Sequence, residues 1–116
     1  MEIIFSDIPV NLNPVRLSDG NSTAGRVEIF YHGEWGSICD DFWTIENARV
    51  ICRSLGYEGA WSHNTRAHYG QGNGWIWLDD VKCNGTEQFI QDCVHLPFGS
   101  HNCAHREDAG VSCIGG

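Results

Sequence analysis

Alternation of apolar and polar residues predicts several strands in the first third of the chain. Val27, Ile29 and Tyr31 share one face of the segment 27–31, with the period of two that a half-buried strand shows. A loop at 32–34 and a second apolar segment at 35–39 predict the partner strand of a hairpin. Shorter segments predict further strands at 15–17, 75–82 and 109–114, with turn chemistry at 18–22.

The period changes to that of a helix over residues 44–55. Apolar residues at 45, 48, 51, 52 and 55 fall on one helical face, Thr44 is suited to cap the N-terminus, and Gly56 is suited to the left-handed stop. A short second helix is predicted from Thr86 to Asp92. The glycine-rich segment 59–74 and the segment 96–107 are predicted to be loops. The pattern therefore predicts an α+β domain.

Residues 1–13 carry apolar side chains without a clear period, which predicts an N-terminal arm or linker ahead of a domain at 14–116. The 116 residues are enough for one domain, and 41% are hydrophobic, which suffices for a core. Seven basic and 15 acidic residues give a net charge of −8. This charge argues against nucleic-acid recognition or binding to an anionic membrane, since both need a cationic surface. No apolar run approaches the ~20 residues of a membrane span.

The cysteine content indicates an oxidising, extracellular compartment. The six cysteines include no Cys-x-x-Cys pair, so three disulfides explain them better than a zinc or redox motif. Spacing alone leaves all of the roughly 15 possible connectivities open. Two glycosylation sequons begin at Asn21 and Asn84 and are consistent with a secreted or cell-surface location.

Several motifs together resemble one family. They are Gly25–Ile29 (GRVEI), Trp35–Trp43 (WGSICDDFW), Ala48–Tyr57 (ARVICRSLGY), Gly70–Gly74 (GQGNG), Trp77–Cys83 (WLDDVKC) and His105–Cys113 (HREDAGVSC). In this order they resemble the scavenger receptor cysteine-rich (SRCR) domain, in its six-cysteine group A form, similar to class A scavenger receptors. The resemblance implies a curved antiparallel sheet of about six strands that cradles one α-helix. It also implies the disulfides Cys39–Cys103, Cys52–Cys113 and Cys83–Cys93.

Paired acidic residues are the main candidates for chemistry. Asp40-Asp41, Asp79-Asp80 and Glu107-Asp108 each lie near a cysteine, and clustered carboxylates outside cells are commonly neutralised by Ca²⁺. The resemblance implies one cation site from Asp40, Asp41 and Glu107. It implies a second from Asp79, Asp80 and Asn102. We therefore expect one or two sites for Ca²⁺, with Mg²⁺ as the other candidate ion.

Other candidate chemistry is weaker. Arg49 and Arg53 share a helix face and could form a small anion-binding patch, although a solvated helix face is the favoured explanation. His101 and His105 flank Cys103 in a zinc-like spacing, but a cysteine in a disulfide cannot ligate zinc. The sequence contains neither a Gly-x-Ser-x-Gly nor a His-Glu-x-x-His motif, so we do not expect an enzyme.

The expected function is that of an extracellular ligand-recognition module in a scavenger-type receptor or secreted protein. It would bind polyanionic, microbial or modified-protein ligands through Ca²⁺, with several copies in the parent protein. The alternative is a protein–protein adhesion or scaffolding module with structural cations and a contact at Trp61, Tyr69 or Phe98. A third possibility is an accessory domain with no ligand of its own.

Overall fold

Six strands and one helix form the framework of the described part of the chain. The computed structural model describes residues 13–115. The strands and helix are β1 (Val15–Asn21), β2 (Ala24–Tyr31), β3 (Glu34–Ile38), α1 (Ile45–Ser54), β4 (Gly59–Asn64), β5 (Trp75–Leu78) and β6 (Gly110–Ile114). Two short 3-10 turns, Ile90–Asp92 and His105–Glu107, lie between β5 and β6. The predicted arm at 1–13 lies outside the described residues except for Asn13.

The sheet curls around β2. The strand order is β4-β6-β2-β3-β5, and β1 also pairs with β2. The first half of β2 pairs with β6 and the second half with β3, while β1 follows its other edge. All pairs are antiparallel except β3 and β5, which run parallel. This one parallel pair departs from the expected all-antiparallel sheet, and it determines where the acidic residues meet.

The helix closes the concave side of the sheet. Thr44 caps it by accepting a hydrogen bond from the Asn47 backbone N–H. Gly56 has a φ of 94°, and the N–H groups of Gly56 and Tyr57 donate to the carbonyls of Arg53 and Cys52, a Schellman ending. Both predicted helix signals are therefore confirmed. The inner helix face packs into a core with residues of the sheet: Val27, Ile29, Ile38, Ala48, Val50, Ile51, Leu78 and Val111.

All six cysteines form the three expected disulfides. Cys52–Cys113 connects α1 to β6, Cys39–Cys103 connects the end of β3 to the loop before the second 3-10 turn, and Cys83–Cys93 closes a ten-residue loop. The implied pairing is confirmed. Because two of the bridges join segments more than 60 residues apart, they restrict the unfolded chain strongly.

Two predicted elements are wrong. The segment 59–74 was expected to be a loop, but it begins with β4, an edge strand that pairs with β6. Its alternation is masked because its outward side chains, including Trp61, are not uniformly polar. The helix expected from Thr86 to Asp92 is only the 3-10 turn Ile90–Asp92. The Glu87 carboxylate accepts the backbone N–H groups of Asn84, Gly85 and Thr86, which makes a local turn where the helix would begin.

Two strand boundaries also differ from the prediction. β1 continues through the expected turn at 18–22 as far as Asn21, with an irregular register before it pairs with Ala24. β5 ends at Leu78 rather than Lys82, because Asp80 has a φ of 52° and leaves the extended conformation. The acidic pair Asp79-Asp80 therefore follows the strand instead of lying within it.

A buried ion network fastens the segment 70–74 to the sheet. Arg26 and Glu28 on β2 are 7% and 5% exposed and pair through Arg26 Nε and Glu28 Oε2 at 3.1 Å. Burial alone would raise the pKa of Glu28, but hydrogen bonds from Arg16, Ser18 and Arg26 outweigh it, so the pKa is lowered. Arg26 also donates to the Gly70 carbonyl, which holds the glycine-rich segment against the sheet.

Candidate cation site

Two acidic pairs meet at one edge of the sheet because two strands run parallel. Asp40 and Asp41 follow β3, and Asp79 and Asp80 follow β5. The carboxyl ends of parallel neighbours lie at the same edge, and the Cys39 N–H donates to the Leu78 carbonyl at 2.9 Å to lock this end of the pair. Residues about 40 positions apart are thereby brought side by side.

Backbone hydrogen bonds bring a third segment to this edge. The Asp40 N–H donates to the Glu107 carbonyl at 2.8 Å, and the Ala109 N–H donates to the Ile38 carbonyl at 2.8 Å. Glu107 ends the 3-10 turn His105–Glu107, so its side chain is held beside the acidic pair that follows β3.

Asn102 and the Cys39–Cys103 disulfide complete the arrangement. With its amide nitrogen turned toward the carboxylates, Asn102 donates to Asp41 Oδ2 and Asp79 Oδ2, both at 3.3 Å. Cys39 Sγ lies 3.6 Å from Glu107 Oε2, and Cys103 Sγ lies 3.6 Å from Asp41 Oδ2. The disulfide therefore joins the segment of Asp40 and Asp41 to the segment that carries Asn102 and Glu107.

Asp41 is common to two tight groups of side chains. Its carboxylate lies within 4.8 Å of those of Asp79 and Asp80, and in the second group it lies within the same distance of Glu107 and the two disulfide sulfurs. Asp40 is placed differently, since its Oδ2 accepts the Arg66 N–H at 2.7 Å. We refer to Asp40, Asp41, Asp79, Asp80 and Glu107 as the carboxylate cluster.

The electrostatics of the carboxylate cluster are unfavourable without a cation. Burial and then repulsion from Glu107, Asp40 and Asp80 raise the pKa of Asp41, against a hydrogen bond with Asp79 that lowers it. Within residues 13–115, no Lys or Arg forms a salt bridge with any member of the cluster. In the described part of the chain, these carboxylates thus have no ion-pair partner.

The residues present fit a hard divalent cation. Carboxylate and carboxamide oxygens are the ligands that Ca²⁺ and Mg²⁺ prefer, and the cluster offers only carboxylate oxygens once the disulfide sulfurs, which do not ligate, are set aside. Asn102 would ligate only after its amide turns, because its nitrogen faces Asp41 and Asp79 here. Asp79 is 1% exposed and its Oδ1 accepts the Asp80 N–H, so one oxygen of this group is already committed.

Backbone strain surrounds the cluster. Asp80 in the cluster has a positive φ (52°), and so do two residues beside it, Phe42 (64°) and Arg66 (53°). Such conformations cost free energy and persist where the surrounding structure enforces them, often at functional sites. The chain is therefore held, rather than relaxed, where the carboxylates converge.

Two supporting residues were not anticipated from the sequence. Asn47, on α1 and completely buried, donates to the Val81 carbonyl at 2.8 Å and accepts the Cys83 N–H at 3.0 Å, which fixes the chain directly after Asp80. Its position on the apolar face of the predicted helix was the available signal. Ser37 donates to Asp108 Oδ1 at 2.7 Å and lies at an inward position of β3.

Asp108 is separated from its neighbour Glu107. It is 1% exposed, accepts hydrogen bonds from Ser37 and the Gly72 N–H, and pairs with His105 Nδ1 at 2.9 Å. It therefore joins the segment 70–74 to the second 3-10 turn instead of facing the carboxylate cluster.

The zinc-like spacing and the arginine pair have structural explanations. Cys103 is in a disulfide, and the His101 Nδ1 accepts the Cys103 N–H at 3.0 Å. Arg49 pairs with Glu46 at 3.5 Å, and Arg53 donates to the backbone carbonyls of Gly85 and Glu87. Neither pattern builds a site by itself.

Aromatic residues are divided between the core and the surface. Trp61 on β4 is 72% exposed. Tyr69 is only half-buried, with its ring against Gly110, and Phe98 stacks on Tyr31 with ring centroids 4.0 Å apart. Trp61 is therefore the freest of the three aromatic candidates.

Both sequon asparagines are accessible. Asn21 is exposed at the end of β1, where its side chain accepts hydrogen bonds from Thr23, and Asn84 is exposed in the loop after Lys82. A glycan at either position would project into solvent, and glycosylation there stays a prediction.

Comparison with known proteins defines the class of this protein. Residues 18–114 match the model of the scavenger receptor cysteine-rich domain, and the chain therefore belongs to the SRCR family. The expected family and its fold, a curled sheet of six strands with one helix and three disulfides, are confirmed. SRCR domains are recognition modules of receptors and secreted proteins.

One curated relative is much longer than this chain. Galectin-3-binding protein of Pongo abelii is 50% identical over 105 residues, which are 90% of this chain and 18% of that protein. The chain thus spans less than a fifth of this relative.

Two solved structures of SRCR domains are similar to this chain in sequence and in fold. The third SRCR domain of murine neurotrypsin is 54% identical with a TM-score of 0.81, covering 87% of this chain and 95% of that one. The SRCR domain of mouse MARCO, in a dimeric form, is 49% identical with a TM-score of 0.73, covering 85% of this chain and 93% of that one.

Within the described residues, no helix has the length and apolar character needed to cross a membrane.

Proposed function

We propose that this chain is an extracellular recognition module that binds polyanionic ligands, such as those on microbial surfaces or modified proteins, in a Ca²⁺-dependent manner. The observation that carries the proposal is the carboxylate cluster. Four carboxylates from three segments converge in two groups that share Asp41, with Asp40 beside them, and no Lys or Arg of residues 13–115 forms a salt bridge with any of the five. The parent protein would be a secreted protein or a cell-surface receptor, in line with its SRCR relatives.

The cation would be held by the residues in two overlapping groups. Asp41 and Glu107, with Asp40 beside them, form one group, and Asp41, Asp79 and Asp80, with Asn102, form the other. Mg²⁺ suits the same oxygens, but it demands a stricter octahedral geometry, and Ca²⁺ tolerates the unequal spacing of these side chains better. A bound Ca²⁺, which takes about 6–8 ligands, supplies open coordination positions for oxygens of a ligand.

Charge explains why binding would require the ion. The net charge of the chain is −8, and an isolated cluster of carboxylates repels sulfate, phosphate and carboxylate groups. Extracellular Ca²⁺ modules commonly have a Kd of about 10⁻⁴–10⁻³ M. High avidity would then come from several copies of the domain in a multimeric parent protein.

The proposal is tested by measuring binding of the purified chain to immobilised dextran sulfate in Ca²⁺ and in EDTA. Binding should be lost in EDTA and in Asp79→Asn, which removes one carboxylate of the cluster. Asp19→Asn serves as a control, because Asp19 is an exposed acidic residue on β1 whose partner is Arg26. Equal binding in Ca²⁺ and EDTA would refute the Ca²⁺ dependence.

A protein-adhesion role is the second candidate, and the exposure of Trp61 favours it. A 72% exposed tryptophan on an edge strand is a suitable anchor for a protein contact. In that case the cations would only brace the loops. A protein partner whose binding survives EDTA but is lost in Trp61→Ala would support this role over the first.

A further inference from the structure

We propose that Arg66 and Arg106 form an anion-binding subsite beside the carboxylate cluster, which takes a sulfate or phosphate group of the ligand. The inference rests on the proposed Ca²⁺-dependent function and specifies the part of the ligand that the chain itself contacts. It assigns the ligand's tetrahedral oxyanion to two guanidinium groups and not to the cation alone.

The first observation is a cavity. Arg66, Arg106 and Glu107 line an open cavity of about 440 Å³, within the ~300–1,000 Å³ range of small-ligand sites. Glu107 also belongs to the carboxylate cluster. The cavity therefore adjoins the candidate cation site, and one ligand group could lie against both.

The second observation is that, among residues 13–115, these two guanidiniums have no hydrogen-bond or salt-bridge partner. The chain has 15 acidic residues, and each of the other four arginines has a salt-bridge or hydrogen-bond partner. Arg16 and Arg26 pair with Glu28, and Arg49 pairs with Glu46, while Arg53 donates to backbone carbonyls. Among residues 13–115, no hydrogen bond or salt bridge engages the side chain of Arg66 or Arg106.

The third observation is that the backbone presents both arginines firmly. Arg66 N–H donates to Asp40 Oδ2 at 2.7 Å, and Ala67 N–H donates to the Asp108 carbonyl at 3.0 Å. Arg106 lies in the 3-10 turn that ends immediately before Asp108. The segment carrying Arg66 is thus fastened directly to the turn carrying Arg106, and the two side chains leave from one anchored region.

The charges make this subsite conditional on the cation. Five carboxylates and two guanidiniums carry a formal local charge of −3, which one divalent cation would reduce to −1 and two would change to +1. Without the ion, the cluster repels an anion at the arginines. With the ion bound, this repulsion is reduced and the guanidiniums can bind the anion. Their forked N–H donors match the geometry of sulfate and phosphate oxygens.

The test compares two double variants that lose the same charge. Arg66→Gln/Arg106→Gln removes the unpartnered pair, and Arg49→Gln/Arg53→Gln removes two arginines from α1 as the control. Binding to immobilised dextran sulfate and to poly(glycerol phosphate) is measured at about 2 mM Ca²⁺, above the ~10⁻⁴–10⁻³ M range expected for Kd. Calorimetry measures the Ca²⁺ affinity of each variant in parallel.

We expect Arg66→Gln/Arg106→Gln to weaken polymer binding at least about tenfold, since charge-assisted hydrogen bonds are lost. The control should change it less than about threefold, as loss of bulk charge alone would. Ca²⁺ affinity should stay the same or rise in the first variant, because two positive charges leave the neighbourhood of the cation. A loss confined to one polymer identifies sulfate or phosphate as the preferred group.

Equal weakening by both double variants, or no weakening by the first, would overturn the subsite. Failure of the proposed function would look different, since wild-type binding would be the same in EDTA as in Ca²⁺. In that case, polymer binding by the two double variants would still show whether Arg66 and Arg106 bind the anion. If the wild type binds neither polymer, both proposals fail.

Discussion

The charged form of the Asp41 carboxylate is unfavourable without a cation, but it is the form that binding a cation requires. In the metal-free protein its pKa is raised by burial and by repulsion from Glu107, Asp40 and Asp80. Holding a divalent ion requires the same carboxylate in its charged form. If the proposed cation site is right, Asp41 would destabilise the metal-free fold and stabilise the Ca²⁺-bound one, a conflict that substitution can reveal.

We predict that Asp41→Asn has opposite effects in EDTA and in Ca²⁺. In EDTA at pH 7 the variant should gain about 0.5–1 kcal/mol in free energy of unfolding, as expected for relieving repulsion between charges near a protein surface. In about 10 mM Ca²⁺ it should lack the roughly 1.5–3 kcal/mol that ligand linkage provides at a Kd of about 10⁻⁴–10⁻³ M. Urea unfolding with the disulfides intact measures both.

The pH dependence of stability tests separately whether the charge of Asp41 destabilises the protein in EDTA. Because the pKa of Asp41 is raised on folding, its repulsion is present when the pH is above that pKa and disappears as the pH falls through it. The EDTA advantage of Asp41→Asn should therefore vanish in acid. Asp92→Asn, which removes an exposed carboxylate, should show neither effect, and a similar response from both variants would contradict the interpretation.

At the scale of secondary structure, α1 supports the candidate site through Asn47. The helix could be predicted in detail, because its apolar spacing, its Thr44 cap and its Gly56 stop are all local signals. The role of Asn47 could not, because its partners Val81 and Cys83 lie more than 30 residues away. The parallel direction of β3 and β5 was equally hidden, since alternation of residues is the same in either direction.

We predict that Asn47→Ala destabilises the protein by about 2–4 kcal/mol, because it leaves a carbonyl and an N–H without partners near the core. It should also weaken Ca²⁺ binding, since the chain after Asp80 loses its anchor. Urea unfolding and calorimetry measure the two effects. Arg49→Ala, which loses only the 3.5 Å surface pair with Glu46, should change stability by less than about 0.5 kcal/mol. An Asn47→Ala variant as stable as this control would refute the role.

For the whole molecule, the disulfides differ in what they hold together. Cys39–Cys103 lies within the carboxylate cluster and joins residues 64 positions apart, while Cys83–Cys93 closes a loop of ten. One bridge therefore stabilises the fold and shapes the site, and the other mainly constrains a local loop.

We predict that replacing both Cys39 and Cys103 with alanine costs roughly 4 kcal/mol, against about 2.5–3 kcal/mol for the Cys83/Cys93 pair, on the chain-entropy model. Ca²⁺ affinity should fall at least about tenfold in the first variant, because the ligand set loses its preorganisation, and by less than about threefold in the second. Denaturant unfolding and calorimetry on the folded fraction test this. Equal losses of Ca²⁺ affinity would show that the first bridge has no special role.

The sequence by itself determined what is local or countable: the helix and its caps, the alternating strands, the six cysteines, the acidic pairs and the family that these motifs resemble. Only the tertiary structure decided that Asp41 is shared by two groups, that Asp40 accepts the Arg66 N–H, and that Arg66 and Arg106 line one cavity with no side-chain partner in the described part of the chain. The reason is physical. Periodicity reports which side of an element is buried, whereas the direction of β5, the register of its pairing and the positions of Asn102 and Glu107 depend on contacts between residues 20 to 70 positions apart.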